Sequence, residues 1–273
     1  STNVASQPKL RIVSAGTMEV PNPAYDGTPA TPRSIPRDFG FGAAQGAGKV
    51  TLGGLSLPVI SWSNGIIEVR VPRTVGTTNV TTGQLEVTRD NLKTSSLGVT
   101  VTVGTPANTT VRAMLPGTKI QAAIDAANPG DLILVPPGRY DELVIMDKKV
   151  KLQGWGALAT NINAAKVPAE KLAKWRSDIS LKYANGGATR TFDLVAGQTV
   201  GFNRPDNEPA LFNTEEGPGI IVLAKIGEFI STNSARIDGL SISGGDSGGG
   251  IFVNGHAKYL EISNNRIFSN YGT

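Results

Sequence analysis

Four sets of carboxylates are the side chains best placed by type to do chemistry in this chain: Asp141/Glu142, Asp206/Glu208, Glu215/Glu216 and Asp238/Asp246. Two carboxyl groups across one bond can donate and accept a proton, and a cluster of them supplies the anionic oxygens that a hard cation such as Ca2+ needs. Spacing narrows the choice. Neighbours on a strand point to opposite faces, so Asp141 and Glu142 are poor partners. Asp238 and Asp246 fall on neighbouring turns and are weak candidates for a metal, because solvated turns account for both. Ca2+ is the one cation this pattern admits, and no other cofactor is expected. His256 is the only histidine and stands in an Asn-Gly-His turn, so a histidine-rich metal site is excluded. Zero cysteines exclude a disulfide framework, a thiolate metal site and a cysteine nucleophile.

The elements that must position these residues are strands. Among 273 residues there are 33 Gly and 17 Pro and only 18% are charged, which favours a turn-rich β protein with room for two cores. The net charge of +4 is modest. Its densest stretch, Lys166 to Arg190, is interrupted by Glu170 and Asp178, so it reads as a solvated helix face and no nucleic-acid partner is expected. No apolar run is long enough to span a membrane as a helix.

Residues 9–104 alternate strand and turn. KLRIV, KVTLGG, LPVISWS, GIIEVRVP, GQLEVTR and GVTVTV are short period-2 runs bounded by Gly, Pro, Asn or Ser, the pattern of a β-sandwich of about seven strands. Trp62 reads as a core or edge anchor. Residues 38–103, with Gly-Phe-Gly at 40–42, Gly53-Gly54, Trp62, Ile66 to Pro72 and a closing Thr-Val repeat, resemble an IPT/TIG domain, an immunoglobulin-like sandwich. The usual Pro-rich opening is replaced by PNPAYDGTPATPRSIPRD, so an added strand from residues 9–20 is expected. The resemblance implies a spacer or recognition module with no catalytic residues.

After a linker at 105–117, Ile120 and Ile124 share one face of a short amphipathic helix that Asn128-Pro129-Gly130 stops. Three strand-like runs follow, at 132–135, 143–146 and 150–152. From Arg236 the apolar pairs Leu240/Ile242, Ile251/Val253 and Leu260/Ile262 are separated by Gly, Asn, Ser and Asp turns at a spacing suited to stacked coils. IQAAIDAANPGDLILVPPGRYDELVI at 120–145, with the text from 236 onward including Asn264-Asn265, resembles the right-handed parallel β-helix, pectate-lyase-like family. The first segment is similar to that family's N-terminal cap and first rung, and its paired asparagines imply a structural ladder. No polar cap follows the last rung, so a partner, another copy or further polypeptide is expected to cover that end. Ile262 is expected to be buried.

Residues 160–217 read as an insertion. Leu172, Trp175, Ile179 and Tyr183 lie on one side of a helix that Asn185-Gly186-Gly187 ends, which makes Trp175 its anchor against the strands. The polar stretch after it is long for a compact repeat and reads as functional or interface-forming. Trp175, Asp206, Glu208, Glu215 and Glu216 are therefore the expected ligand or interface residues.

The expected fold class is mainly β: an immunoglobulin-like sandwich plus a truncated right-handed parallel β-helix with a helical insertion. The expected organisation is an extension at 1–37 contributing a strand, the sandwich at 38–104, the linker at 105–117, and the β-helix start at 118–273 with cap helix 118–127, insertion 160–217 and rungs 236–273. The favoured function is a non-catalytic secreted or cell-surface module of a larger bacterial or archaeal protein, acting in binding, adhesion or assembly on carbohydrate or protein. The alternatives are the N-terminal part of a polysaccharide lyase or glycoside hydrolase, and a fibre subunit stacking through the open end.

Overall fold

The structure, a computed structural model, describes residues 7–71, 81–95, 97–104, 109–165, 167–168, 170–184, 190–196, 217–232, 234–246 and 248–271. It is mainly β, with two helices among the described residues. The chain divides into two compact units, Ser1–Gly104 and Thr105–Thr273.

In the first unit the strands are β1 (Lys9–Val13), β2 (Thr17–Pro21), β3 (Ser34–Asp38), β4 (Lys49–Leu52), β5 (Leu55–Leu57), β6 (Val59–Trp62), β7 (Ile66–Arg70), β8 (Thr81–Thr88) and β9 (Val99–Val103). Two antiparallel sheets, β1-β7-β6 and β5-β4-β8-β9, share one core. Period-2 alternation does the work: Ile67 and Val69 of β7 are buried between half-exposed Ile66, Glu68 and Arg70, and they meet Val50, Leu52, Leu85 and Val87 from the other sheet. Gly53-Gly54 turns β4 into β5 with φ of +56° and +81°, the left-handed pair that a two-residue hairpin requires. Trp62 packs half-buried against this core, its ring edge-on to Phe41 with centroids 6.3 Å apart.

Residues 9–13 supply the added strand, but residues 17–38 hold more than a single strand. β2 and β3 pair antiparallel as a separate two-stranded ribbon. Its base is tied down by Asn64, whose Oδ1 accepts from the Gly42 N–H (2.8 Å) and whose Nδ2 donates to Asp38 Oδ2 (3.1 Å). A Cβ on Gly40 would fall 2.0 Å from Asn64 Oδ1, so the Gly-Phe-Gly segment can lie this close only without a side chain there.

The second unit holds β10 (Val111–Ala113), α1 (Ile120–Ala126), β11 (Leu132–Val135), β12 (Gly138–Tyr140), β13 (Val144–Met146), β14 (Lys151–Gly154), β15 (Thr160–Asn163), α2 (Glu170–Ala184), β16 (Ile220–Leu223), β17 (Ala235–Asp238), β18 (Ser241–Ser243), β19 (Ile251–Asn254), β20 (Leu260–Ser263) and β21 (Arg266–Ile267). These strands form three parallel sheets: sheet 1, β10-β11-β14-β17-β20; sheet 2, β12-β15-β18-β21; and sheet 3, β13-β16-β19. The chain visits the sheets in the same order on every pass, and each strand pairs with its counterpart one pass later. Inward residues therefore stack in rows. Ile133, Leu152 and Ile237 form one row, and Tyr140, Ile162 and Ile242 another, all within a single core.

The interruption expected over 160–217 begins later. Thr160–Asn163 is β15, and Ile220–Leu223 returns to sheet 3 as β16. β15 escaped notice because it carries one strongly apolar residue, Ile162, between two outward asparagines. Ile262 also differs from expectation: it occupies the row of Ile133, Leu152 and Ile237 but is 44% exposed, since β20 is the outermost strand of sheet 1 among the described residues.

The opposite end is closed by α1. Lys119 at its N-cap makes no side-chain cap; Glu142 accepts from the Ile120 and Gln121 N–H groups instead (2.9 and 3.1 Å). Gln121 takes the place of a neighbouring strand at the free edge of β13: its Oε1 accepts from Ile145 N–H (2.7 Å) and its Nε2 donates to Ile145 C=O (3.2 Å). Lys148 Nζ donates to the carbonyls of Ile124, Asp125 and Ala127 at the other end of the helix. Ile120 and Ile124 are fully buried in the stack's core.

Candidate functional site

The side chains that sequence alone singles out are mostly engaged in holding the backbone. Asp141 and Glu142 part company at the end of β12. Glu142 caps α1, while Asp141 turns outward, where its Oδ1 accepts from Asn163 Nδ2 (2.5 Å) and Arg139 Nε (3.0 Å). The Asn163 bond, with the Arg139 charge, holds the Asp141 carboxyl below its ordinary range despite partial burial. Asp238 is fully buried and accepts from Ser263 Oγ (2.7 Å) and Asn264 Nδ2 (2.8 Å). Asp246 fixes a turn through its backbone, donating to Gly217 C=O and accepting from Gly249 N–H. Among the described residues no three of His, Cys, Asp and Glu converge closely enough to hold a metal ion. Asp206, Glu208, Glu215 and Glu216 lie outside the described residues.

Trp175 is not on the surface. It is 3% exposed, packed with Ile179, Phe192, Leu143, Ile145, Ile221 and Leu223, so α2 lies over the outward side of sheet 3 with its indole in the interior. That burial places Trp175 as a helix anchor and removes it from contact with any ligand on this surface. Burying Trp175 and Ile179 stabilises the docked helix by roughly 1.5–3 kcal/mol each. Lys182 near the end of α2 completes the attachment, with Nζ 2.9 Å from Asp147 and 3.2 Å from Asp125. His256 sits in a turn at φ +51°, its Nε2 3.5 Å from Leu194 C=O. Asn265 stitches β20 to the previous pass, accepting from Leu240 N–H (3.0 Å) and donating to Ile237 C=O (2.8 Å).

Lys171 is a second basic side chain near Asp141, beside Arg139. Burial depresses its pKa, and the carboxylates of Asp141 and Glu142 oppose that. Its Nζ already donates to the carbonyls of Asn163 (3.0 Å) and Ala165 (2.7 Å). The ammonium is thereby fixed as a support for the turn after β15.

The exterior of sheet 2 is polar and largely engaged: Ser241 is 3% exposed with its Oγ donating to Ala157 C=O, and Asn163 and Arg139 donate to Asp141. Three passes bring polar-apolar-polar triplets to this sheet: Arg139-Tyr140-Asp141, Asn161-Ile162-Asn163 and Ser241-Ile242-Ser243, and a fourth brings Arg266-Ile267-Phe268. The middle residue fills the core and the flanking two point away from it, one row starting at Arg139 and the other at Asp141, with Ser241 covered by the loop that carries Ala157. Among the described residues Ser243 Oγ and the Arg266 guanidinium have no hydrogen-bond partner, and the Arg266 guanidinium lies 4.2 Å from the Phe268 ring centroid.

No protein-family model, curated protein or solved structure matches this chain.

The corner leading into β15 carries an exposed aromatic. Trp155 is 64% exposed and Leu158 is 47% exposed, on a short loop pinned by Trp155 N–H to Thr160 Oγ1 (3.1 Å) and by Ser241 Oγ to Ala157 C=O. Sequence reasoning missed both rows and the tryptophan. The recurring triplets are the signal that marks them, once Thr160–Asn163 is recognised as a strand.

Proposed function

We propose that this chain is a non-catalytic, extracellular or cell-surface binding module. In this reading the first unit is an IPT/TIG-like sandwich and the second the start of a parallel β-helix, right-handed as the rule for crossovers between parallel strands favours. The observation that carries the reading is that the carboxylates are spent on the fold. Asp131, Glu142, Asp147 and Asp238 are each bound into the fold's own contacts. No helix among the described residues is long and apolar enough to cross a membrane.

The catalytic alternative needs a proton donor, an acceptor and a base free to act on one face. Among the described residues Asp141 and Lys171 are a candidate pair, and Lys171 is committed to two carbonyls. A head-to-tail fibre would require the end of the stack that α1 and β10 occupy, so the geometry gives that reading no support. The test is incubation of the chain with a polysaccharide panel, followed by reducing-end and unsaturated-product assays alongside pull-down on the same matrices. Retention without product is expected; product formation would sink the reading.

A further inference from the structure

We propose that the corner of the stack between sheets 3 and 1 docks on an anionic lipid bilayer, with Ile226 and Ile230 entering its surface. Three passes turn this corner in the same order. The first uses the 4 residues 147–150, the third the 5 residues 255–259 and the second the 11 residues 224–234, so the middle crossing is the longest. It is fixed at two points. Phe229 is buried in the core of the stack, and the Ile226 N–H donates to the buried Asp193 carboxylate (2.8 Å). Between them the chain turns through Glu228 N–H to Lys225 C=O (3.1 Å). Held in this way, Ile226 leaves 65% of its surface to water, and Ile230, next to Phe229 in sequence, is exposed as well. Tyr259, on the following pass of the same corner, is 61% exposed. None of the three side chains belongs to a core cluster of this unit.

Charge selects the partner. Each pass brings one lysine to the corner, Lys149, Lys225 and Lys258, and Lys149 Nζ reaches across to Thr232 C=O of the middle crossing (3.4 Å). Lys151 and Arg236 stand side by side where sheet 1 begins. Burial first, then the charges of Arg236 and Lys149, holds the Lys151 pKa below the ordinary lysine value, which is the mark of cations crowded together. Against these five stand two carboxylates, Glu228 at 3.9 Å from Lys225 and Glu261 beside Arg236 in register. Arg190 and Asp193 are 2.5 Å apart and offset one another. An anionic bilayer complements both properties of the corner. Aliphatic side chains lodge at the acyl boundary, a tyrosine ring sits at headgroup level, and each lysine close to the negative surface adds roughly fivefold in affinity. Side chains that project from a loop suit a soft surface that closes around them, whereas an acidic protein would need a socket for each. Docking at this corner goes beyond the non-catalytic reading and does not depend on it.

The experiment is co-sedimentation of the whole chain with vesicles of phosphatidylcholine alone or with one third phosphatidylglycerol, at low salt and in molar NaCl, with soluble polyglutamate as competitor. Wild type is expected to bind the mixed vesicles at low salt at least tenfold more tightly than phosphatidylcholine and to lose most of that binding in molar salt. Ile226→Ser combined with Ile230→Ser is expected to weaken binding at least tenfold, Tyr259→Ser several-fold, and Gln at positions 149, 225 and 258 together about a hundredfold. Circular dichroism and melting of each variant should match wild type, because these side chains lie outside the core clusters. Absence of binding to the mixed vesicles would overturn the proposal, as would equal binding to both kinds of vesicle. Binding that the isoleucine, tyrosine and lysine variants all retain would overturn it too, since the contact would then lie elsewhere on the molecule. If the isoleucine variant binds as wild type does while polyglutamate displaces the vesicles, an acidic protein segment takes the place of the bilayer and the proposal fails. None of these outcomes turns on whether the chain cleaves a glycan.

Discussion

Replacing Lys182 by Met should undock α2, and the magnitude follows from what is left behind. Lys182 Nζ lies 2.9 Å from Asp147 Oδ2; the Asp147 side chain is 0% exposed and that of Lys182 18%. Among the described residues Asp147 Oδ1 already lacks a hydrogen-bond partner. Removing the ammonium strands a buried carboxylate, a change that costs about 3–5 kcal/mol, well above the 1 kcal/mol or less of a surface pair. Lys182→Met with Asp147→Asn should recover most of the loss, because the uncompensated charge goes with its partner. The pair also has a pH signature. Burial works against the charge on Lys182, and Asp147 and Asp125 outweigh it, so its pKa is raised. A raised folded pKa means that the contribution is fully present below the unfolded value, about 10.4, and fades as pH rises through the folded one. The stability gap between wild type and Lys182→Met should thus be flat from neutral pH to about 10 and narrow above it. Urea unfolding followed by circular dichroism and by Trp175 emission, with Trp62 and Trp155 replaced by Phe, reads the docking directly. A loss under about 1 kcal/mol at pH 7 would show that the pair is solvated and that α2 is held by its apolar face alone.

Gln121→Leu should leave the Ile145 N–H and C=O without partners, costing roughly 1–3 kcal/mol in urea unfolding and speeding hydrogen exchange at Ile145; unchanged exchange would refute the role of the amide as a substitute strand. Asn64→Asp should lower the melting temperature at pH 7 by setting a second carboxylate against Asp38. That carboxyl is held low first by the Gly40 N–H and then by Asn64, so the defect should shrink below about pH 4 and vanish with Asp38→Asn. For Asp131, burial opposes its charge, but the Arg112 bond and the N–H groups of Asn128 and Thr110 outweigh that, and its pKa is lowered. Its contribution is present above the ordinary value near 3.9 and lost as pH falls through the folded one, so melting curves of wild type and Asp131→Asn should differ at pH 7 and converge in acid.

Much of this architecture is legible wherever apolar periodicity is clean. Ile66 to Arg70 and Leu132 to Val135 announce themselves as strands, and Ile120 with Ile124 announces a helix that packs on one face. The ribbon of β2 and β3 was not legible as a separate element, because Pro21, Pro36 and the loop between them carry turn chemistry and little burial. The exterior of sheet 2 was hidden for a different reason. Outward residues of a parallel stack obey no local rule, so Arg139, Asn161, Ser241 and Arg266 become a row only through pairings that reach as far as 80 positions along the chain, from Asn161 to Ser241. Trp175 and Trp155 show the same limit. One is interior and the other exposed, and the helical spacing around Trp175 told of the first while nothing local told of the second.

The long excursion between β15 and β16 says how this fold can change. Residues 164–219 number 56, where the next pass crosses from β18 to β19 with the 7 residues 244–250. Three doublings of loop length cost only about 2 kcal/mol of closure entropy, and the buried side chains of Trp175 and Ile179 offset that by themselves. A stack whose strands already define their own register is therefore a permissive host: at the crossing into sheet 3, large segments can be gained, lost or exchanged over evolutionary time while the neighbouring passes keep their places.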